Sequence, residues 1–278
     1  MKRILLTAAL IISALYTQAQ AIATPQASPT QTITQAFSVG TVEVSYSRPG
    51  LKGRKLGIDL APYGKVWRTG ANNATTIKFT DDVTIGGTLV KAGKYGLLSI
   101  PDANEWTLII TKDLNVNAPD LYKQANDVVR VKAPVTKLGN KVETFTINLA
   151  NFTGSTCDVQ LTWENTSVSL PISINTDALV MKQINDVFGK DSKPYYAAAQ
   201  YFYENGKDLN KAKEWIDLAT AEPANAKAYY MFMLKARINK KLGNESAAKQ
   251  AAETTIATAT EAHNDEYVKM ARDLIKTL

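Results

Sequence analysis

Thr41-Val42-Glu43-Val44-Ser45-Tyr46 alternates residue by residue: Val42, Val44 and Tyr46 fall on one side of an extended chain, Glu43 and Ser45 on the other. That period of two is the mark of a half-buried β-strand, and it runs from Ile33 to Ile174. Similar segments stand at Thr75–Thr80, Tyr95–Ile100, Trp106–Lys112, Val128–Lys132, Lys141–Leu149, Cys157–Trp163 and Val168–Ile174. Turn chemistry separates them at Gly86-Gly87, Lys91-Ala92-Gly93, Pro101–Asn104 and Leu138-Gly139-Asn140, and Glu164-Asn165-Thr166 reads as a tight hairpin. Asn117–Gln124 reads as one or two helical turns inside a long connection. Many short strands with no crossover helix among them predict an antiparallel β-sandwich, barrel-like, because a parallel sheet needs crossovers of a dozen or more residues.

From Thr176 onward the period changes to about 3.6. Tyr195, Tyr196, Ala199 and Tyr203 share one helical face; Leu209, Ala212, Ile216 and Ala219 share the next, which Pro223 ends. The pair Tyr195-Tyr196 returns as Tyr229-Tyr230, 34 residues on, a period and layout similar to tetratricopeptide repeats. Too few good units are present for a free-standing array, so a small repeat-like α-helical bundle is expected. The domain plan is therefore 1–21 leader, 22–31 spacer, 32–175 β-sandwich and 176–278 helical tail.

Residues 1–21 read as a secretory signal: Lys2 and Arg3, an apolar run from Ile4 to Leu15, then Ala19-Gln20-Ala21. The run is shorter than the roughly 20 residues a bilayer span needs, so no stable membrane span is expected. An exported protein, periplasmic or extracellular, follows. Losing Lys2 and Arg3 takes the formal net charge from +6 to +4, and the two signs look interleaved along the chain. Nucleic acid, which wants a clustered basic face, is not an expected partner. Cys157 is the one cysteine and His263 the one histidine. They allow no intramolecular disulfide, no structural zinc site and no Ser-His-Asp or Cys-His machinery. No cofactor and no metal is expected.

The polar groups gather in one place. Between Tyr46 and Phe79 stand Arg48, Arg54, Trp67, Arg68, Asn72 and Asn73, among five glycines and two prolines. Sharp backbone between strands is where a β-protein positions binding groups. Trp67-Arg68-Thr69-Gly70-Ala71-Asn72, with the turns Ile85-Gly86-Gly87 and Ala92-Gly93-Lys94-Tyr95, resembles a family of secreted bacterial proteins known only as a domain of unknown function. The resemblance covers roughly residues 31–175; it implies a fold and supplies no chemistry.

Three readings of the block stand side by side. In the first, the arginine forks, the Trp67 ring and the Asn72 and Asn73 amides hold a small anionic or carbohydrate ligand without catalysis. In the second, the arginines pin loop carbonyls and the domain is a structural or protein-interaction module. The third is an envelope hydrolase using carboxylates such as Asp59, Asp81, Asp82 or Asp102. The helical tail, through an outward tyrosine such as Tyr201, offers a surface to a protein partner.

Overall fold

The computed structural model describes residues 24–188 and 194–278; the leader expected at 1–21 lies outside the described residues. Ten strands come first: β1 (Thr30–Phe37), β2 (Gly40–Ser47), β3 (Thr76–Phe79), β4 (Val83–Ile85), β5 (Thr88–Val90), β6 (Gly93–Ile100), β7 (Glu105–Thr111), β8 (Asp127–Pro134), β9 (Thr136–Ala150) and β10 (Thr156–Ser173). They form two antiparallel sheets, six strands in the order β1-β2-β3-β6-β7-β8 and four in the order β5-β4-β10-β9. The residues that alternate inward fill the space between the sheets. Val42, Val44, Tyr46, Ile77, Trp106 and Leu108 come from the first; Phe145, Ile147, Leu161, Trp163 and Leu170 come from the second.

The opening stretch behaves as its alternation predicts: Val42, Val44 and Tyr46 are buried, and Glu43 and Ser45 face out. Gly86 and Gly87 both take positive φ, 55° and 79°, and turn β4 into β5 as a two-residue hairpin. Asn117–Gln124 holds short 3-10 turns, Pro119–Leu121 and Gln124–Asn126.

One expectation is corrected. Glu164-Asn165-Thr166 does not turn the chain; β10 runs straight through it as one strand, and β9 runs through Leu138-Gly139-Asn140. The two polar clusters face each other in a single ladder, with Glu164 opposite Val142, Thr166 opposite Lys137, and Asn165 Nδ2 donating to Leu138 O at 3.2 Å. The ladder shifts register on both sides of Glu164, whose φ is +52°, so the cluster is a β-bulge.

A second compact unit begins after Thr176. Its helices are α1 (Thr176–Phe188), α2 (Tyr195–Glu204), α3 (Leu209–Ala221), α4 (Tyr229–Lys241), α5 (Glu245–Glu261) and α6 (Asp265–Ile275). Asp208 caps α3 by accepting from Asn210 N and Lys211 N, and Asn264 caps α6 by accepting from Tyr267 N. Ala199, Phe202, Ala212, Trp215, Ile216 and Leu234 form one core cluster. Tyr195 and Tyr229 occupy the same first position of α2 and α4, and the Tyr196 and Tyr230 rings meet edge to face at 5.1 Å. Tyr195 and Tyr196 sit half-buried against this core rather than inside it, and Tyr230 is exposed. Tyr201 is not a free outward ring: its hydroxyl donates to Asp177 Oδ1 at 3.0 Å.

Candidate functional site

The polar block lies between β2 and β3, where the chain leaves the six-stranded sheet and returns to it. At Arg48 the chain crosses toward the other sheet: Phe145 N donates to Pro49 O at 2.9 Å and Leu51 N to Glu143 O at 2.9 Å. The Arg48 side chain reinforces that crossing, Nε donating to Phe145 O at 3.3 Å and Nη2 to Thr146 Oγ1 at 2.9 Å. Arg54 fastens its own turn, with Nε on Leu51 O and Nη2 on Gly50 O, both at 3.1 Å.

Trp67 takes up the place beside β6 that β3 has vacated, exchanging two backbone hydrogen bonds with Ser99 at 2.7 and 3.0 Å. Its indole turns inward. It stacks on Trp163 (5.4 Å, 14° between planes) and meets Phe145 and Trp106 edge-on at 4.9 and 6.2 Å. Its Nε1 donates to Gly70 O at 3.0 Å. The ring is thus part of the inter-sheet core.

The next five residues close the loop. Thr69 holds a positive φ of 58°; its hydroxyl donates to Ser99 Oγ and its carbonyl accepts from Thr75 Oγ1 at 2.6 Å. A Cβ at Gly70 would stand 2.9 Å from Ser47 O, so no larger residue fits without a shift. Asn72 (φ 57°) lends its Nδ2 to Ser28 O at 3.0 Å and Ser47 Oγ at 3.3 Å. Asn73 is exposed and faces a different cleft from Arg68.

Arg68 and Val66 point to the outside of the sheet, on either side of the inward Trp67. Here the outer face of β6 and β7 is covered: Leu98, Ile109 and Val116 form a small cluster with Val66, Ile100 and Tyr122. Between the two covering segments lies a cleft of about 250 Å³, lined by Pro62, Lys65, Val66, Trp67, Arg68, Val116, Asn117 and Pro119 among others. Arg68 Nη1 donates to Asn72 O at 2.7 Å, and no carboxylate pairs with the guanidinium or with Lys65 among the described residues. Lys65 and Asn117 were not singled out from sequence. Lys65 lies inside the quoted block, but Asn117 comes from the β7–β8 connection, and only folding brings it here.

Charge is more local than the whole-chain balance suggests. From Arg48 to Lys78 the chain carries seven basic residues and one acid, Asp59, whose Oδ2 accepts from Lys55 N at 2.9 Å. The interleaving expected from sequence fails over this stretch.

The same β7–β8 connection carries Tyr122, which meets Asp127 and Arg130 of β8. Tyr122 Oη donates to Asp127 Oδ2 at 2.5 Å and accepts from Arg130 Nη1 at 2.8 Å. Burial first, and then the Asp127 bond and charge, push the Tyr122 phenol up to about 12. Burial likewise pushes the Cys157 thiol up to about 11, which leaves it a packed, unreactive side chain. Among the described residues no group of three His, Cys, Asp or Glu is placed to hold a metal ion, and no helix is long and apolar enough to cross a membrane.

The sequence profile of one family, proteins of unknown function called DUF2911, matches residues 28–172, slightly more than half the chain. The chain belongs to the DUF2911 family. The match takes in the ten-strand sandwich and the whole arginine–tryptophan–asparagine block, and it stops before the helices. No curated protein and no solved structure matches the chain. DUF2911 membership assigns no activity, so the chemistry of the block rests on its geometry.

Proposed function

We propose that this DUF2911 protein is an exported, non-catalytic binding protein of the periplasm or cell exterior, and that it takes a small anion at the Arg68 cleft. The observation that carries this reading is Arg68 itself. One of its five N–H donors holds Asn72 O, and the guanidinium lines a cleft beside Lys65 with no carboxylate paired to it among the described residues. Asn117 adds an amide, and Val66, Val116 and Pro119 supply apolar walls. A volume near 250 Å³ is below the roughly 300–1,000 Å³ of drug-sized pockets, so the ligand is a carboxylate or phosphate group and little more. The helical tail, with its tetratricopeptide-like spacing, is the part we assign to a protein partner.

The test is a thermal-shift screen of the mature protein against phosphates and sugar acids, with Arg68→Ala/Lys65→Ala beside it. A ligand at a hundredfold excess over its Kd adds about 2.7 kcal/mol of stability. We expect a raised Tm that the double variant lacks; equal shifts in both proteins would remove the cleft from consideration.

A second reading is favoured by a specific observation: Arg48 spends its donors on Phe145 O and Thr146 Oγ1 of β9, and Arg54 on the carbonyls of its own turn. Under it the block is a clasp between the sheets and Arg68 is its last member. Absence of any ligand, with Arg68→Ala melting earlier, is its expected result.

A further inference from the structure

We infer that a second cleft, on the open part of the six-stranded sheet's outer face, binds an anionic sugar. The register fixes what stands there. Across β1, β2, β3 and β6, one outward row reads Thr34–Glu43–Lys78–Lys94 and the next reads Thr32–Ser45–Thr76–Gly96. Lys78 and Lys94 are therefore directly opposite, on one face, and both are exposed. Like charges in that relation destabilise a sheet. Neither lysine is in an ion pair among the described residues; Glu43, next in the row, instead accepts from Thr34 Oγ1 at 3.5 Å. A pair of lysines held where they repel each other is a ready place for an anion from outside.

The neighbouring row gives the site its sugar character. Gly96 lets the chain after β7 cross over the sheet: a Cβ there would be driven into Asp113 O. The crossing stands Leu114 and Asn115 as a wall, and a cleft of about 440 Å³ opens between that wall, Asn73-Ala74 on the far side of the Trp67–Asn72 clasp, and the strand residues Thr30, Ser45, Thr76 and Lys94. Asn73, Thr76, Lys94 and Asn115 all line it, and among the described residues none of their side chains has a hydrogen-bond partner. Two amides, hydroxyls and an ammonium match the alternating donors and acceptors of a hydroxylated ring. The partly exposed Leu114 offers an apolar surface to the ring's C–H face. Asp113 does not line the cleft; its Oδ1 accepts from Asn115 N at 3.0 Å. The volume falls in the range of ligand pockets, unlike the smaller Arg68 cleft.

The full-length mature protein should be titrated calorimetrically with trigalacturonate, glucose 6-phosphate and the neutral maltotriose. Binding of either anionic sugar but not of maltotriose is expected, weakening as salt rises. The carboxylate arm and the phosphate arm separate the two sources of charge. Lys78→Ala/Lys94→Ala should lose at least tenfold in affinity while its Tm stays level or rises, because the repelling pair is gone; misfolding would move Tm the other way. Thr76→Val should weaken binding without changing its salt dependence. Lys65→Ala/Arg68→Ala removes the cations of the other cleft, so the binding that it retains and that Lys78→Ala/Lys94→Ala loses is the binding of this one. No binding of either anionic sugar, equal binding of maltotriose, or full binding by the double-lysine variant would overturn the inference.

Discussion

Gly70 shows how a single missing side chain sets the block. Its neighbours Thr69 and Asn72 both hold positive φ, and the backbone between them passes so close to β2 that Ala71 N donates to Ser47 O at 3.2 Å. Gly70→Ala places a methyl 2.9 Å from the same Ser47 carbonyl and 3.0 Å from Thr75 Oγ1. It should destabilise the sandwich by about 1–3 kcal/mol, the usual penalty for overpacking, read as a lower urea midpoint at unchanged slope. The arginines divide on the same test. Arg48→Ala leaves Phe145 O and Thr146 Oγ1 without a half-buried donor between the sheets, and should cost about 1–3 kcal/mol. Arg54→Ala removes an exposed staple on its own turn and should stay within about 0.5 kcal/mol of the parent. If the two variants melt alike, the division between clasp and surface is wrong.

At the scale of elements, what was legible in the sequence is what obeys a local period. Val42-Glu43-Val44-Ser45-Tyr46 and the Gly86-Gly87 turn carry their structure in their own residues. Glu164-Asn165-Thr166 and Leu138-Gly139-Asn140 do not: each looks like a turn alone, and they become strand because each is the other's partner across the β9–β10 ladder. The bulge leaves a clear demand. Glu164 sits at φ +52°, which a β-branched residue adopts only under strain. Glu164→Val should lower stability by about 1–3 kcal/mol and Glu164→Gly should not lower it, measured by thermal melting. The β7–β8 connection makes a pH prediction. The Tyr122 phenol is raised from its ordinary 10.0 to about 12 in the folded protein, so its contribution is fully present below pH 10 and is lost as pH climbs toward 12. Tm against pH should therefore fall more steeply over that window in the parent than in Tyr122→Phe; parallel curves would show that the phenol does not link folding to protons. The site was legible only in part for the same reason. Arg68 and Trp67 announce themselves in one stretch, whereas Asn117 reaches their cleft, and Lys94 and Asn115 reach the cleft of Asn73, through long-range packing that no local pattern records.

At the scale of the molecule, the change of period near Thr176 is the one long-range feature the sequence states outright, because each side of it must bury its own apolar residues. The chain divides into two compact units between Thr176 and Asp177. The sandwich closes over Trp67, Trp106, Phe145 and Trp163, and the helices close over Phe202, Trp215, Ile216 and Leu234. A unit with its own core carries its own folding free energy. The protein consisting of residues 24–176 should therefore melt as one cooperative transition with β-type circular dichroism, and it should keep both clefts, since every residue that lines them lies before Asn126. It should bind whatever the full chain binds at Arg68 and at Lys94, with affinities within about threefold. A fragment that folds cooperatively yet binds nothing the full chain binds would mean that the helical unit completes the sites, and the division of labour between a binding sandwich and a partner-facing tail would have to be given up.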